Sequence, residues 1–185
     1  YYKTFMWPKG FWHSVYEPLI RKLAGLGVAP GERDPDTYEK MHAYCDALVI
    51  GAGVTGLSAA LAAARSGARV ILVEQDAMLG GDVTSADSEN AKAWLEQVKS
   101  ELASLPDVRI LRRTTAFGHY DHNYVLLAER CTDHRAPGSS SKVRQRLWHV
   151  RAEEVILATG AHERPLVFPN NHKPGVMLAS AMSNY

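Results

Sequence analysis

Cysteine is scarce in this sequence: Cys45 and Cys131 lie far apart and in no C-x-x-C arrangement. That excludes a disulfide scaffold, offers no zinc-ligand spacing, and fits a reducing compartment. Long apolar runs are missing too; none approaches the ~20 residues of a membrane-crossing helix. The chain opens without the basic-then-apolar pattern of a secretory leader, so the expected location is cytoplasmic. It also lacks an excess of either charge. Lys and Arg number 21 against 20 Asp and Glu, for a net charge of +1. No domain-wide basic face for nucleic acid follows, and the densest basic run, Lys142 to Arg146, adjoins a Ser-rich turn and reads as a solvated loop. What is present is 185 residues, 46% apolar and 22% charged, enough for one domain with a core. The chain does not begin with Met and stops abruptly at "LASAMSNY". Both ends therefore read as cut from a longer polypeptide.

Residues 1–45 differ from the rest. Tyr1, Tyr2, Phe5, Trp7, Phe11, Trp12 and Tyr16 crowd together at the start, and each such ring buries roughly 150–250 Å² when packed. This segment should pack on a neighbouring domain or subunit. A short helix is expected over Ser14–Ala24, closed by Gly25 and Gly27. Pro30, Gly31 and Pro35 mark a linker over 28–36. The dinucleotide-binding domain is expected over 46–185, incomplete at its C-terminal end.

That domain opens on a β-α-β signal. "DALVIG" is apolar without alternation, as in a strand buried on both faces. Val54 to Ser66 is Ala- and Leu-rich helix stopped by Gly67, and "ARVILVEQ" is a second buried strand. Between strand and helix stand Gly51, Gly53 and Gly56. A pyrophosphate needs backbone N–H donors and no side chain in its way. Gly51 allows the tight turn, Gly53 lets backbone approach the phosphates, and Gly56 lets the helix press on the strand. The amides of Val54 and Thr55 should point at the phosphates, where the helix dipole adds about 0.3–1 kcal/mol. Glu74 ends the second strand, where a carboxylate accepts from the adenosine ribose diol. A 2′-phosphate ~4 Å away would be repelled by about 4 kcal/mol at an effective dielectric of 20. The pattern therefore points to FAD or NAD, and away from NADP. The competing reading is a glycine turn in an unrelated α/β domain, with Glu74 solvated.

Further along, "NAKAWLEQVKSELASL" carries apolar residues at helical spacing, ended by Pro106. "VRILRRTTAFG" reads as a third strand, "YVLLAERC" and "RLWHVRAE" as an antiparallel pair, and "EEVILATG" as a last apolar strand. Thr159 and Gly160 then fall at a strand's carboxyl end, where ligands of doubly wound sheets lie. Following a dinucleotide fingerprint, this second motif points to a two-motif flavoprotein type of domain.

With both motifs placed, the aromatic run "YYKTFMWPKGFWHSVYEPLIRKLAGLG", "RTTAFGHYDHN", "ERCTDH" and "RQRLWHVRAEEVILATGAHERPLVFPNNHKPGVMLASA" together resemble the alpha subunit of heterotetrameric sarcosine oxidase. The resemblance implies a Rossmann-like, glutathione-reductase-type α/β domain with a mostly parallel sheet and an antiparallel β insertion. It implies an enzyme that oxidatively demethylates sarcosine to glycine. The other products are hydrogen peroxide and either formaldehyde or, with folate, methylene-tetrahydrofolate. Beta, gamma and delta subunits would be partners. FAD would lie in beta, FMN between alpha and beta, and NAD in this domain where relatives hold FAD. The tetrahydrofolate site would lie on a C-terminal part of alpha that this chain lacks, and the isolated fragment would be inactive. The family commonly reads G-G-G-P-A-G where this chain has Gly51-Ala52-Gly53-Val54-Thr55-Gly56, and the polar "DVTSADSEN" replaces a longer Leu-rich loop after Gly81. Carried over, Gly51, Gly53, Val54, Thr55 and Gly56 meet the pyrophosphate and Glu74 the ribose. Gln75 and Gly81 border the cofactor, and the Ala116 backbone lies near adenine. Thr159 and Gly160 cover the adenosine side, while Arg164 reaches a phosphate or makes a surface ion pair.

No catalytic residue is assigned, and no metal site. His119, Asp121 and His122 fit loop hydrogen bonding better than a ligand set. His162 and Glu163 could face the pocket, though a structural role reads better. From the residues alone FAD is favoured; the resemblance favours NAD. A stand-alone FAD-dependent oxidoreductase domain and a non-redox nucleotide-holding scaffold are the alternatives.

Overall fold

A computed structural model describes residues 8, 10–25, 27, 31–85, 87–138 and 142–184. The chain divides into two compact units, Tyr1–Pro35 and Asp36–Tyr185. In the first, a turn of π-helix at Trp12–Tyr16 runs into α1 (Glu17–Leu23), with Pro18 in its first turn and an Arg21–Glu17 ion pair of 2.7 Å along it. Gly25 follows at φ +66°, as the expected helix stop requires. Tyr1, Tyr2, Phe5 and Trp7 of the aromatic run lie outside the described residues.

The second unit is a six-stranded mixed sheet flanked by helices. Its elements are β1 (Tyr38–Ile50), α2 (Val54–Arg65), β2 (Val70–Val73), α3 (Glu89–Ser104), β3 (Val108–Leu111), β4 (Thr114–Tyr120), β5 (Tyr124–Arg130), β6 (Gln145–Leu157) and a short α4 (Ala179–Asn184). The order across the sheet is β3-β2-β1-β6-β5-β4. β3, β2, β1 and β6 run parallel to their neighbours, while β4, β5 and β6 pair antiparallel. This is the mostly parallel sheet with an antiparallel insertion that the sequence leads one to expect. Among the described residues no helix is long and apolar enough to cross a membrane.

β2 and the last residues of β1, Ala47–Ile50, are buried on both faces, which is why their sequences do not alternate. Ala47, Val49, Val70 and Leu72 pack against Leu57, Ala60, Leu61 and Ala64 of α2 and Leu95, Val98 and Leu102 of α3. Their neighbours Leu48, Ile50, Ile71, Val73 and Leu111 pack against Val125, Leu127, Trp148 and Val150. The antiparallel end of the sheet thus curls over the face the helices leave open.

Three elements differ from the sequence expectation. β1 begins at Tyr38, after the expected linker and ahead of the domain start expected at residue 46, because Tyr38–Cys45 pairs along Gln145–Ala152. The run from Val108 to Gly118 is two strands, not one. Arg113 sits at φ +53° and breaks it, so that β3 pairs with β2 and β4 with β5. Conversely, "RLWHVRAE" and "EEVIL" form the single strand β6, antiparallel to β5 and parallel to β1 along its length.

Candidate functional site: the glycine turn and its acid

β1 ends at Ile50, and Gly51 turns the chain at φ +103°, a conformation that favours glycine. The Gly51 N–H donates to the Val73 carbonyl at 2.8 Å, and the Ala158 N–H donates to that of Ile50 at 2.8 Å. The turn is therefore clamped between the ends of β2 and β6. A Cβ at Gly51 would lie 2.3 Å from the Ala158 oxygen, and one at Gly56 would lie 1.8 Å from the Gly51 oxygen. Gly53 is the opposite case: a Cβ there would meet nothing within 4 Å. Its carbonyl accepts the first helical bond, from Leu57 at 2.9 Å, and no side chain caps it among the described residues. Val54 and Thr55 are exposed at the first turn of α2. Helix-start amides left without a side-chain cap, on a backbone cleared of side chains, form the geometry that receives a phosphate.

Glu74 follows β2 and is 8% exposed. Its Oε2 accepts from the Ala52 N–H at 2.7 Å and its Oε1 from the Asp76 N–H at 3.0 Å. The Gly80 N–H donates to the Ala52 carbonyl at 2.8 Å, which lays the Gly80–Gly81 loop beside the turn. A Cβ on Gly81 would come 3.3 Å from the Gly53 Cα, while Thr159 Cα lies 3.2 Å from the Cβ position of Gly51. The structure thus brings together Gly51, Gly53, Val54, Thr55, Gly56, Glu74, Gly81 and Thr159, with Gly160 following at φ +70°. Gln75 borders this group, and its carbonyl accepts from Arg130 Nη2 at 2.6 Å. The Thr114 N–H donates to the Glu74 carbonyl at 2.8 Å, so β4 starts alongside the acid. Ala116 stands further along β4, opposite Leu127 and packed on the core. Arg164 is exposed in a stretch without helix or strand, and among the described residues no contact places it at the turn.

Sequence reading missed Ala52 and Gly80. The only signal for either was the adjacent glycine pair. Glu163 does not face the turn: its carboxylate accepts from Ala179 N–H (3.1 Å), Ser180 N–H (2.9 Å) and Ser180 Oγ–H (2.7 Å). Those bonds, the Ser180 hydroxyl first, hold it below the usual carboxyl range. His119 hydrogen-bonds Asn123 at 3.3 Å across the β4–β5 turn, the loop role expected of it. Among the described residues no group of His, Cys, Asp and Glu could hold a metal ion. Burial pushes the Cys45 thiol up to about 11, so it is no nucleophile near neutral pH.

A strand–glycine turn–helix with a buried acid at the next strand's end defines a dinucleotide-binding domain. The chain belongs to the FAD dependent oxidoreductase family, whose model matches residues 46–156. Within that class it is similar to the sarcosine oxidase alpha subunit. It is 53% identical to the alpha subunit of Rhizobium meliloti (strain 1021) over 190 positions, covering 100% of this chain and 19% of that protein. Against the one from Corynebacterium sp. (strain P-1) it is 47% identical over 169 positions, 88% of this chain and 18% of that one. The chain therefore spans about a fifth of the length of these relatives. Among solved structures, L-proline dehydrogenase from P. horikoshii superposes with a TM-score of 0.56 at 27% identity, over 74% of this chain and 27% of that one. The fold is that of the glutathione-reductase-type flavoproteins.

Proposed function

We propose that this chain is the dinucleotide-holding part of a sarcosine oxidase-type alpha subunit. The observation that carries the proposal is the open, uncapped helix start at Gly53 with the buried Glu74 beside it. These residues fit the ADP half of a dinucleotide. The amides of Val54 and Thr55 would hold the pyrophosphate, Gly53 would give it room, and the free lone pairs of Glu74 would take the ribose hydroxyls. Gln75, Gly81, the Ala116 backbone, Thr159 and Gly160 would border adenosine, and Arg164 a phosphate. This chain's own residues would bind and orient the nucleotide. NAD in this site is the reading that the resemblance to the sarcosine oxidase alpha-subunit family implies. The same resemblance implies an assembly with beta, gamma and delta subunits that carries FAD and FMN elsewhere, and oxidative demethylation of sarcosine with tetrahydrofolate as an acceptor of the one-carbon unit. A second reading, FAD in this same site, is favoured by the family to which the chain belongs.

The absorption spectrum of the full-length protein, purified without partners, separates the two. A colourless protein that releases NAD on denaturation agrees with the first reading, and flavin bands establish the second. A protein releasing neither nucleotide overturns the dinucleotide assignment. Sarcosine-dependent peroxide formation on adding the partner subunits is the outcome expected for the activity; its absence rejects that assignment.

A further inference from the structure

Ala52 stands between the first two glycines of the turn and is fully buried. Its peptide is gripped from both sides: the N–H donates to Glu74 Oε2 at 2.7 Å, and the carbonyl accepts from Gly80 N–H at 2.8 Å. The other Glu74 oxygen accepts from Asp76 N–H at 3.0 Å. These bonds lie within the protein and owe nothing to a ribose hydroxyl. A carboxylate offers about four lone-pair positions on its oxygens. With one N–H on each oxygen, a position on each stays open for the diol.

Gly51 and Gly53 flank Ala52, and glycine loses more backbone freedom on ordering than any other residue. A turn built this way binds phosphate well only if something else holds it, since ordering it on binding would subtract from affinity. We propose that Glu74 is a positioning residue for the phosphate-binding turn. It fixes the Ala52 peptide so that the Val54 and Thr55 amides are preset toward the pyrophosphate, independently of any bond it makes to ribose. The proposal rests on the reading that the ADP half of a dinucleotide binds here. Glutamine cannot replace this acid. It has a single acceptor oxygen, so one of the two backbone N–H groups would face an NH₂.

The test pairs a variant with a trimmed ligand in the full-length protein stripped of nucleotide. Binding of ADP and of 2′,3′-dideoxy-ADP is measured by calorimetry for wild type and Glu74→Gln. The dideoxy ligand has no diol, so a glutamate serving ribose alone would be indifferent to it. The expected result is a loss of about tenfold or more for both ligands, the size of one unsatisfied buried donor. Leu102→Ala, a core change away from the turn, is expected to lower the melting temperature and leave dideoxy-ADP affinity unchanged, which separates positioning from general destabilisation. A Glu74→Gln protein that loses affinity for ADP and keeps it for the dideoxy ligand overturns the proposal while the dinucleotide reading stands. Wild type binding neither ligand overturns both. Should Glu74→Gln fail to fold, residue-resolved hydrogen exchange on the nucleotide-free wild type decides. A slowed Ala52 amide is expected, and exchange at the unprotected rate rejects the clamp.

Discussion

A methyl group added at Gly53 would meet nothing within 4 Å, whereas one at Gly51 would sit 2.3 Å from the Ala158 oxygen. Gly53 also has φ −73° and ψ −172°, extended backbone that alanine adopts freely, while Gly51 has φ +103°. Neighbouring glycines of one motif are thus glycine for different reasons. Gly53→Ala should fold normally and gain up to about 0.4–1 kcal/mol from the lower entropy of its unfolded chain. It should nevertheless lose ADP affinity by about tenfold or more, because its Cβ would occupy the phosphate approach. Gly51→Ala should lose about 1–3 kcal/mol from the backbone alone, before the clash is counted. Thermal melts with and without ADP check both; a destabilised Gly53→Ala protein, or one binding ADP normally, would contradict this account. The three glycines and Glu74 were legible in the sequence because their spacing reports a local strand–turn–helix. That Glu74 reaches back to Ala52 was not, since the bond joins separate elements.

At the scale of elements, β5 and β6 are tied by a half-buried polar pin. Trp148 Nε1–H donates to Glu129 Oε2 at 2.7 Å, and Arg146 Nη1 donates to the same oxygen at 2.9 Å. Trp148 is 4% exposed, so removing its acceptor strands an indole N–H in the core. Glu129→Ala should cost about 1–3 kcal/mol. A urea melt followed by tryptophan fluorescence would show a lower midpoint; an unchanged midpoint would mean the pin is idle. Such cross-strand pairing also explains which elements the sequence disclosed. The helices α2 and α3 and the buried strand β2 announce themselves by local pattern and by their stops. The break at Arg113 does not. Its N–H bonds the Asp76 carbonyl at 3.0 Å, and that partner lies in the loop after β2, distant along the chain. The outer half of β1, Tyr38–Tyr44, was hidden for the same reason: its strand character comes from pairing with β6.

For the molecule as a whole, acid should be the weak side. The Arg69 guanidinium bonded to Asp46 and the Arg65 guanidinium bonded to Glu101 lower those carboxyls, as the Ser180 hydroxyl lowers Glu163. Each group has a folded value below its unfolded one. Its contribution is therefore full above the unfolded carboxyl range, about 4, and drains away as pH falls through the folded values. The melting temperature should hold from pH 7 to about 5 and decline below about 4, with a shallower decline in Asp46→Asn. These are surface pairs, so added salt should shrink the difference. A melting temperature that rises on acidification would reverse the sign. At this scale, too, the division between sequence and structure becomes plain. The sequence by itself determined the β-α-β unit, the glycine turn and the choice of an acid over a base at position 74, because each depends on neighbours a few residues away. Only the tertiary structure decided that the antiparallel strands cover the second face of the sheet, and that the end of β6 and the Gly80–Gly81 loop close on the turn. It also decided that Glu163 caps a helix and does not serve the site. Those outcomes hinge on hydrogen bonds and packing between segments distant along the chain, which compete for partners that only folding brings near.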